Sequence, residues 1–142
     1  MQTSARNQFA GVVTEVKHGA VNDEVILRTQ DGLEIVSVIT HGSVATLDLA
    51  AGKNAFALVK ASSVIVMVDV SANQVSARNC IAGKVSTVTK GAVNSEVVIA
   101  AEAGGAQIAA IITNESVERL KLASGSAATA IFKASSVIVG VE

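Results

Sequence analysis

Four short polar segments occur twice in the chain: SARN at 4–7 and 76–79, GAVN at 19–22 and 91–94, IT at 39–40 and 112–113, and KAS at 60–62 and 133–135. Their side chains supply hydroxyl, amide, guanidinium and ammonium donors, and none is a carboxylate. Such donors around fixed positive charges suit a small, fully deprotonated anion and disfavour one that must give a proton back. In the GAVN segments, Gly and Asn tolerate left-handed backbone angles, so the stretch reads either as a tight turn or as a concavity of backbone N–H groups able to hold an anion. Glu24 and Glu96, just beyond these segments, read as structural carboxylates, because they would repel an anion.

Chemistry of other kinds has weaker support. His18 and His41 have Lys90 and Asn114 at the corresponding places of the second copy, so a histidine-dependent reaction would leave half the molecule inert; both are expected in solvated loops. Ser43, His41 and Asp48 have the composition of a triad without a nucleophile elbow. Gly52-Lys53 and Gly83-Lys84 lack the rest of a phosphate loop. The lone Cys80 stands where the first copy has Gln8 and cannot form an internal disulfide, and no Cys/His spacing suggests a tetrahedral metal site. No catalytic residue, direct metal-cation ligand or cofactor is expected.

The polar segments recur because the sequence itself is duplicated. SARNQFAGVV begins at Ser4 and SARNCIAGKV at Ser76, while KASSVIV begins at Lys60 and Lys133, so one residue is inserted near 103–105. About half of the positions from Ser4 to Asp69 are identical in the second copy. All four polar motifs agree between copies that differ at many core positions, such as Ile26 against Val98. We read two modules, 1–70 and 71–142, joined too closely to separate widely.

Runs rich in Val and Ile, bounded by Gly, Asn, Asp and Ser, predict strands at 9–16, 24–29, 34–39, 55–60 and 64–68, repeated in the second copy. Ser43 or Ser116 is expected to cap one helical turn ending near Gly52 or Gly125. The economical architecture is all-β: two tandem OB-fold-like five-stranded barrels, each with a short helix. Modules this small, in a chain with 2% aromatic residues, bury little apolar area each, which favours packing between modules and between chains.

A net charge of −1 and the near absence of aromatic residues argue against an OB-fold nucleic-acid-binding module, the principal alternative. Polar residues interrupt every apolar run before it could span a bilayer, and the first residues lack the pattern of a secretory signal. A soluble, cytoplasmic protein without a membrane partner is the expectation.

The ordered set SARNxxxGxV, VxxGAVNxEV, IT before a Ser-containing turn, and KASSVIV resembles the molybdate-binding Mop module, also described as a molybdenum-type TOBE domain. The resemblance covers nearly the whole chain twice, and the arrangement looks like a free-standing dimop molbindin of the ModG-like type. It implies a non-enzymatic cytoplasmic protein that binds molybdate, with tungstate also expected, for molybdenum storage and homeostasis. It also implies a homotrimer with oxyanion sites at module interfaces. By that resemblance one site class maps onto Ser4, Arg6, Asn7, Thr40, Lys60, Ala61 and Ser62, and onto Ser76, Arg78, Asn79, Thr113, Lys133, Ala134 and Ser135. A second class, near the threefold axis, maps onto Gly19, Ala20, Val21 and Asn22, and onto Gly91, Ala92, Val93 and Asn94. His18 against Lys90 would make the two axial sites unequal.

Overall fold

A computed structural model describes all residues from Met1 to Glu142. The first repeat forms β1 (Asn7–Lys17), β2 (Asn22–Thr29), β3 (Glu34–Thr40), α1 (His41–Thr46), β4 (Asn54–Val59) and β5 (Ile65–Met67). The second forms β6 (Asn79–Lys90), β7 (Asn94–Ala101), β8 (Gln107–Thr113), α2 (Asn114–Arg119), β9 (Ala127–Phe132) and β10 (Val137–Gly140). The KAS segments become 3₁₀ turns at Ala61–Ser63 and Ala134–Ser136, each just before a fifth strand. The predicted strand runs thus fall on observed strands, with edges moved by one or two residues. The chain is all-β apart from its short helices, in two curled, OB-like five-stranded sheets.

The helix starts differ from the expectation in detail. Thr40 and Thr113, three residues before the expected serines, are the caps: each has extended backbone, and its hydroxyl accepts from the N–H of Ser43 or Ser116 at 3.1 Å. The helices stop at Leu47 and Leu120, well short of the glycines, where Asp48 and Lys121 turn to positive φ. Gly52 and Gly125 serve the following turns with φ of 96° and 93°.

The sheet orders are β10-β4-β1-β2-β3 and β5-β9-β6-β7-β8, with antiparallel pairing throughout. Each fifth strand therefore completes the other repeat's sheet: β10 pairs with β4 through Val137 opposite Val59, and β5 pairs with β9 through Ile65 opposite Ile131. Each repeat contributes five strands, as its pattern predicts, but the fold exchanges the last of them. Consequently the repeat boundary near residue 70 divides the sequence, whereas the exchange ties the sheets together. One continuous core contains Phe9, Val13 and Leu27 from the first repeat and Val85, Ile99 and Phe132 from the second.

β1 and β6 are long enough to serve two flanking strands because each bends at a bulge, between Val13 and Glu15 and between Val85 and Thr87. Two residues before each bulge stands a glycine that the neighbouring strand crosses closely. A Cβ at Gly11 would lie 2.2 Å from the Arg28 carbonyl oxygen, and one at Gly83 would lie 2.1 Å from that of Ala100. Alanine at either position should cost about 1–3 kcal/mol, because backbone rather than a flexible side chain must yield. A lowered urea midpoint at unchanged slope would register it, and an unchanged midpoint for both variants would refute the packing argument.

The inserted residue of the second repeat falls in the β7–β8 hairpin, where Gly104 and Gly105 adopt φ of 78° and 74°. Gly104 abuts Asp31, in the β2–β3 hairpin of the first repeat. The gap in the repeat is thus a change of loop geometry where the two halves meet.

Candidate anion-binding site

The exchange decides which polar segments come together. The 3₁₀ turn carrying Lys60, Ala61 and Ser62 packs on β8, which ends at Thr113, and the turn carrying Lys133, Ala134 and Ser135 packs on β3, which ends at Thr40. SARN behaves likewise. Asn7 reaches β8 and Asn79 reaches β3, so the SARN and KAS segments of one repeat pack on the strand that ends in the other repeat's IT segment. Polar segments grouped by repeat in the sequence are regrouped across repeats in space.

Asn7 and Asn79 are only 1% and 2% exposed, and their amides bond to backbone of the opposite repeat. Asn7 Nδ2 donates to the carbonyls of Val59 and Ala109, and its Oδ1 accepts from the Ala109 N–H at 2.7 Å. Asn79 exchanges two 2.8 Å hydrogen bonds with the N–H and carbonyl of Val36. These side chains cover the outer edges of β8 and β3, the terminal strands of their sheets, where Asn7 spends both amide N–H groups and Asn79 one of its two. Their place in the motif is structural: they hold the neighbouring Arg6 and Arg78 against the opposite repeat.

The arginines are exposed but paired. Arg78 makes a two-pronged contact with Glu24, at 2.6 and 3.2 Å, and Arg6 pairs with Glu96. Glu24 and Glu96 are thus carboxylates that orient the guanidinium groups, and each pair crosses between repeats. Lys60 and Lys133 are exposed and stand outside every ion pair of the chain. Ser4, Ser62, Ser76 and Ser135 are exposed as well. A groove of about 600 Å³ between Met1, Phe9, Phe56 and Glu142 contains none of these residues, and one of about 450 Å³ beside Leu33 and Cys80 contains only Arg78 among them. The donors therefore lie on open surface shared by the two repeats.

The GAVN segments form the exposed turns between β1 and β2 and between β6 and β7. The N–H groups of Ala20, Val21, Ala92 and Val93 have no backbone acceptor, while Gly91 N–H closes its turn on the Asn94 carbonyl at 2.9 Å. In the first turn Gly19 N–H instead donates to the Asp23 carboxylate at 3.0 Å. The two turns agree in sequence and differ in electrostatics.

That difference comes from a residue outside the sequence-based candidates. Asp23 has a buried side chain, and His18 and His41, expected in solvated loops, both turn a ring nitrogen onto it at 2.9 Å. Burial would push the Asp23 carboxyl up, but the Gly19 N–H and the two imidazoles outweigh it and hold it below the ordinary carboxylate value. The available signal was a contrast between copies, Asp23 against Ser95, beside an otherwise shared motif.

Comparisons with known proteins agree with this architecture. The TOBE domain matches residues 3–66 and again residues 75–139. The molybdenum transport protein ModE of Herbaspirillum seropedicae is 44% identical over all of this chain and 52% of its own length. The molybdenum-pterin-binding protein MopA of Rhodobacter capsulatus is 42% identical over 99% of this chain and 53% of its own. The chain thus spans about half the length of these relatives. A molybdate-bound crystal structure of the cytoplasmic molybdate-binding protein ModG superimposes with a TM-score of 0.94 at 46% identity, covering 100% of both chains. No helix here is long and apolar enough to cross a membrane. With two matches that together take in most of its length, and with the same repeated fold, this chain belongs to the TOBE-domain family and carries the domain twice.

Proposed function

We propose that this protein binds molybdate reversibly, as a binding protein and not an enzyme, and serves molybdenum storage and homeostasis in the cytoplasm. The observation that carries the reading is the full-length structural match to a molybdate-bound ModG, together with carboxylate-free donor motifs retained in both repeats. Lys60 and Lys133 supply charge not already neutralised, and Arg6 and Arg78 supply guanidinium groups prealigned by Glu96 and Glu24. The serines at 4, 62, 76 and 135 add hydroxyl donors, with backbone from Ala61 and Ala134, and the Thr40 and Thr113 hydroxyls, which meet Ser43 and Ser116 in the free chain, turn to the anion when it arrives. If each charge-assisted hydrogen bond contributes about 1.5–3 kcal/mol, a handful offsets desolvation and reaches about micromolar affinity. The open placement of these donors favours sites completed by another copy of the chain. Both repeats expose the same apolar positions, Val21 with Val93 and Ile65 with Ile138, which suits a symmetric oligomer such as a homotrimer. The GAVN turns, with two uncommitted N–H groups each, are the proposed axial sites.

Titration of the full chain with molybdate, tungstate, sulfate and phosphate tests the proposal. Molybdate and tungstate are expected to bind with similar, about micromolar or tighter, affinity. Phosphate, partly protonated near neutral pH, meets donor motifs that hold no carboxylate of their own, Glu24 and Glu96 being engaged by the arginines, and should bind more weakly. Phosphate binding as tight as molybdate would remove the argument from carboxylate-free donors, and a molybdate isotherm without heat or saturation would remove the function. A negative net charge and the lack of stacking side chains leave no comparable support for a nucleic-acid ligand.

A further inference from the structure

We propose that His18, Asp23 and His41 form a binding site for one divalent transition-metal cation of borderline softness, such as Zn²⁺, in the first repeat. The three residues are far from any sequence motif for metal binding, but the β1–β2 turn and the start of α1 bring them together. Both Nδ1 atoms lie 2.9 Å from Asp23 Oδ2, the imidazoles meet edge to face with centroids 5.4 Å apart, and all the ligand atoms fall within 4.8 Å of one another. Tetrahedral coordination at ordinary metal–nitrogen and metal–oxygen lengths needs ligand atoms about 3.4 Å apart. The rings must therefore withdraw by about half an ångström, and at 61% and 56% exposure they are free to do so. Asp23, 0% exposed, is the fixed ligand. Its other oxygen accepts the Gly19 N–H, the outer-shell hydrogen bond that orients a coordinating carboxylate. Two neutral imidazoles and one carboxylate leave a position open for water or an exogenous ligand.

The second repeat argues that this cluster exceeds what the turn requires structurally. There Ser95 donates to Asn114, and Asn114 donates to the Gly91 carbonyl at 3.0 Å, so an uncharged pair secures the same turn. Lys90, at the place of His18, points to Glu118 at 3.6 Å. The first repeat replaces that pair with a buried carboxylate and two imidazoles, a donor set that a divalent cation can use through both nitrogen lone pairs and the carboxylate charge. This inference does not rest on molybdate binding.

The test is equilibrium dialysis of the metal-stripped full chain against Zn²⁺ near neutral pH, with bound metal quantified, and Co²⁺ as a spectroscopic probe. One Zn²⁺ per chain is expected, with visible Co²⁺ absorption of the tetrahedral type. His18→Ala and His41→Ala, at exposed positions that should leave the circular dichroism spectrum unchanged, should each weaken uptake by more than about tenfold. Asp23→Asn should abolish uptake, whereas Cys80→Ser should leave it as it was. The proposal is overturned if the folded wild-type chain takes up no Zn²⁺, if the His18→Ala/His41→Ala double variant binds as well as wild type, or if uptake disappears with Cys80.

Discussion

Replacing Lys133 or Lys60 by alanine is expected to weaken molybdate binding at the affected interface site by about ten- to hundredfold, the loss of one charge-assisted hydrogen bond of about 1.5–3 kcal/mol. Neither ammonium is held by a carboxylate, so its removal leaves no stranded partner and the effect should appear in binding with little change in stability. Arg78→Ala should act differently. It removes a donor and also releases the half-buried Glu24 carboxylate, which then opposes an arriving dianion. A larger loss for Arg78→Ala than for Lys133→Ala, measured by calorimetric titration, is the expected order. Unchanged isotherms for both variants would reject the cross-repeat site.

The largest expected change in stability belongs to the buried asparagines. Asn79→Ala leaves the N–H and carbonyl of buried Val36 without their partners, and Asn7→Ala does the same to Ala109 on the other sheet while also losing a bond to the Val59 carbonyl. With each buried unsatisfied group costing about 1–3 kcal/mol, either substitution should destabilise by about 2–4 kcal/mol, a large share of an ordinary domain's stability. Thermal unfolding would record it. Because the same side chains cover the outer edges of β3 and β8, both variants should also self-associate more readily on heating than a Gly11→Ala variant of similar stability. A variant as stable as wild type would show that the amides are replaceable by water.

These two sets of residues explain why the SARN motif is indivisible. Asn7 and Asn79 locate the start of β1 and β6 on the opposite sheet; Arg6 and Arg78, one residue earlier, are thereby carried to Glu96 and Glu24. Sequence alone offers Asn as an anion donor beside Arg, since both residue types have free N–H groups on paper. The structure separates them by burial: one amide is enclosed by backbone, the other side chain remains at the surface.

Much was legible from local pattern. Alternating Val and Ile runs mark the strands because side chains on a pleated strand take turns facing the core, and β2 and β7 show that alternation along their length. The duplication, the class of fold, the absence of carboxylates from the donor motifs and the structural role of Glu24 and Glu96 followed from residue types and their order. Propensity, however, assigns the helix cap only to within a turn: Thr40 and Ser43 are both capping residues, and the extended backbone at Thr40 selects between them.

What the sequence by itself determined is the inventory: two copies of one strand pattern, the same donors in each, and a Gly- and Asn-bearing turn in each copy. What only the tertiary structure decided is partnership. Strand pairing depends on hydrogen bonds between segments distant in the chain, so nothing in KASSVIV says whether its strand returns to its own sheet or crosses to the other, and the crossing sets which KAS turn packs on which threonine-ended strand. The same holds for His18, Asp23 and His41, whose separation along the chain has no periodicity to reveal them and whose convergence is a product of the hairpin and the helix start that fold around one buried carboxylate.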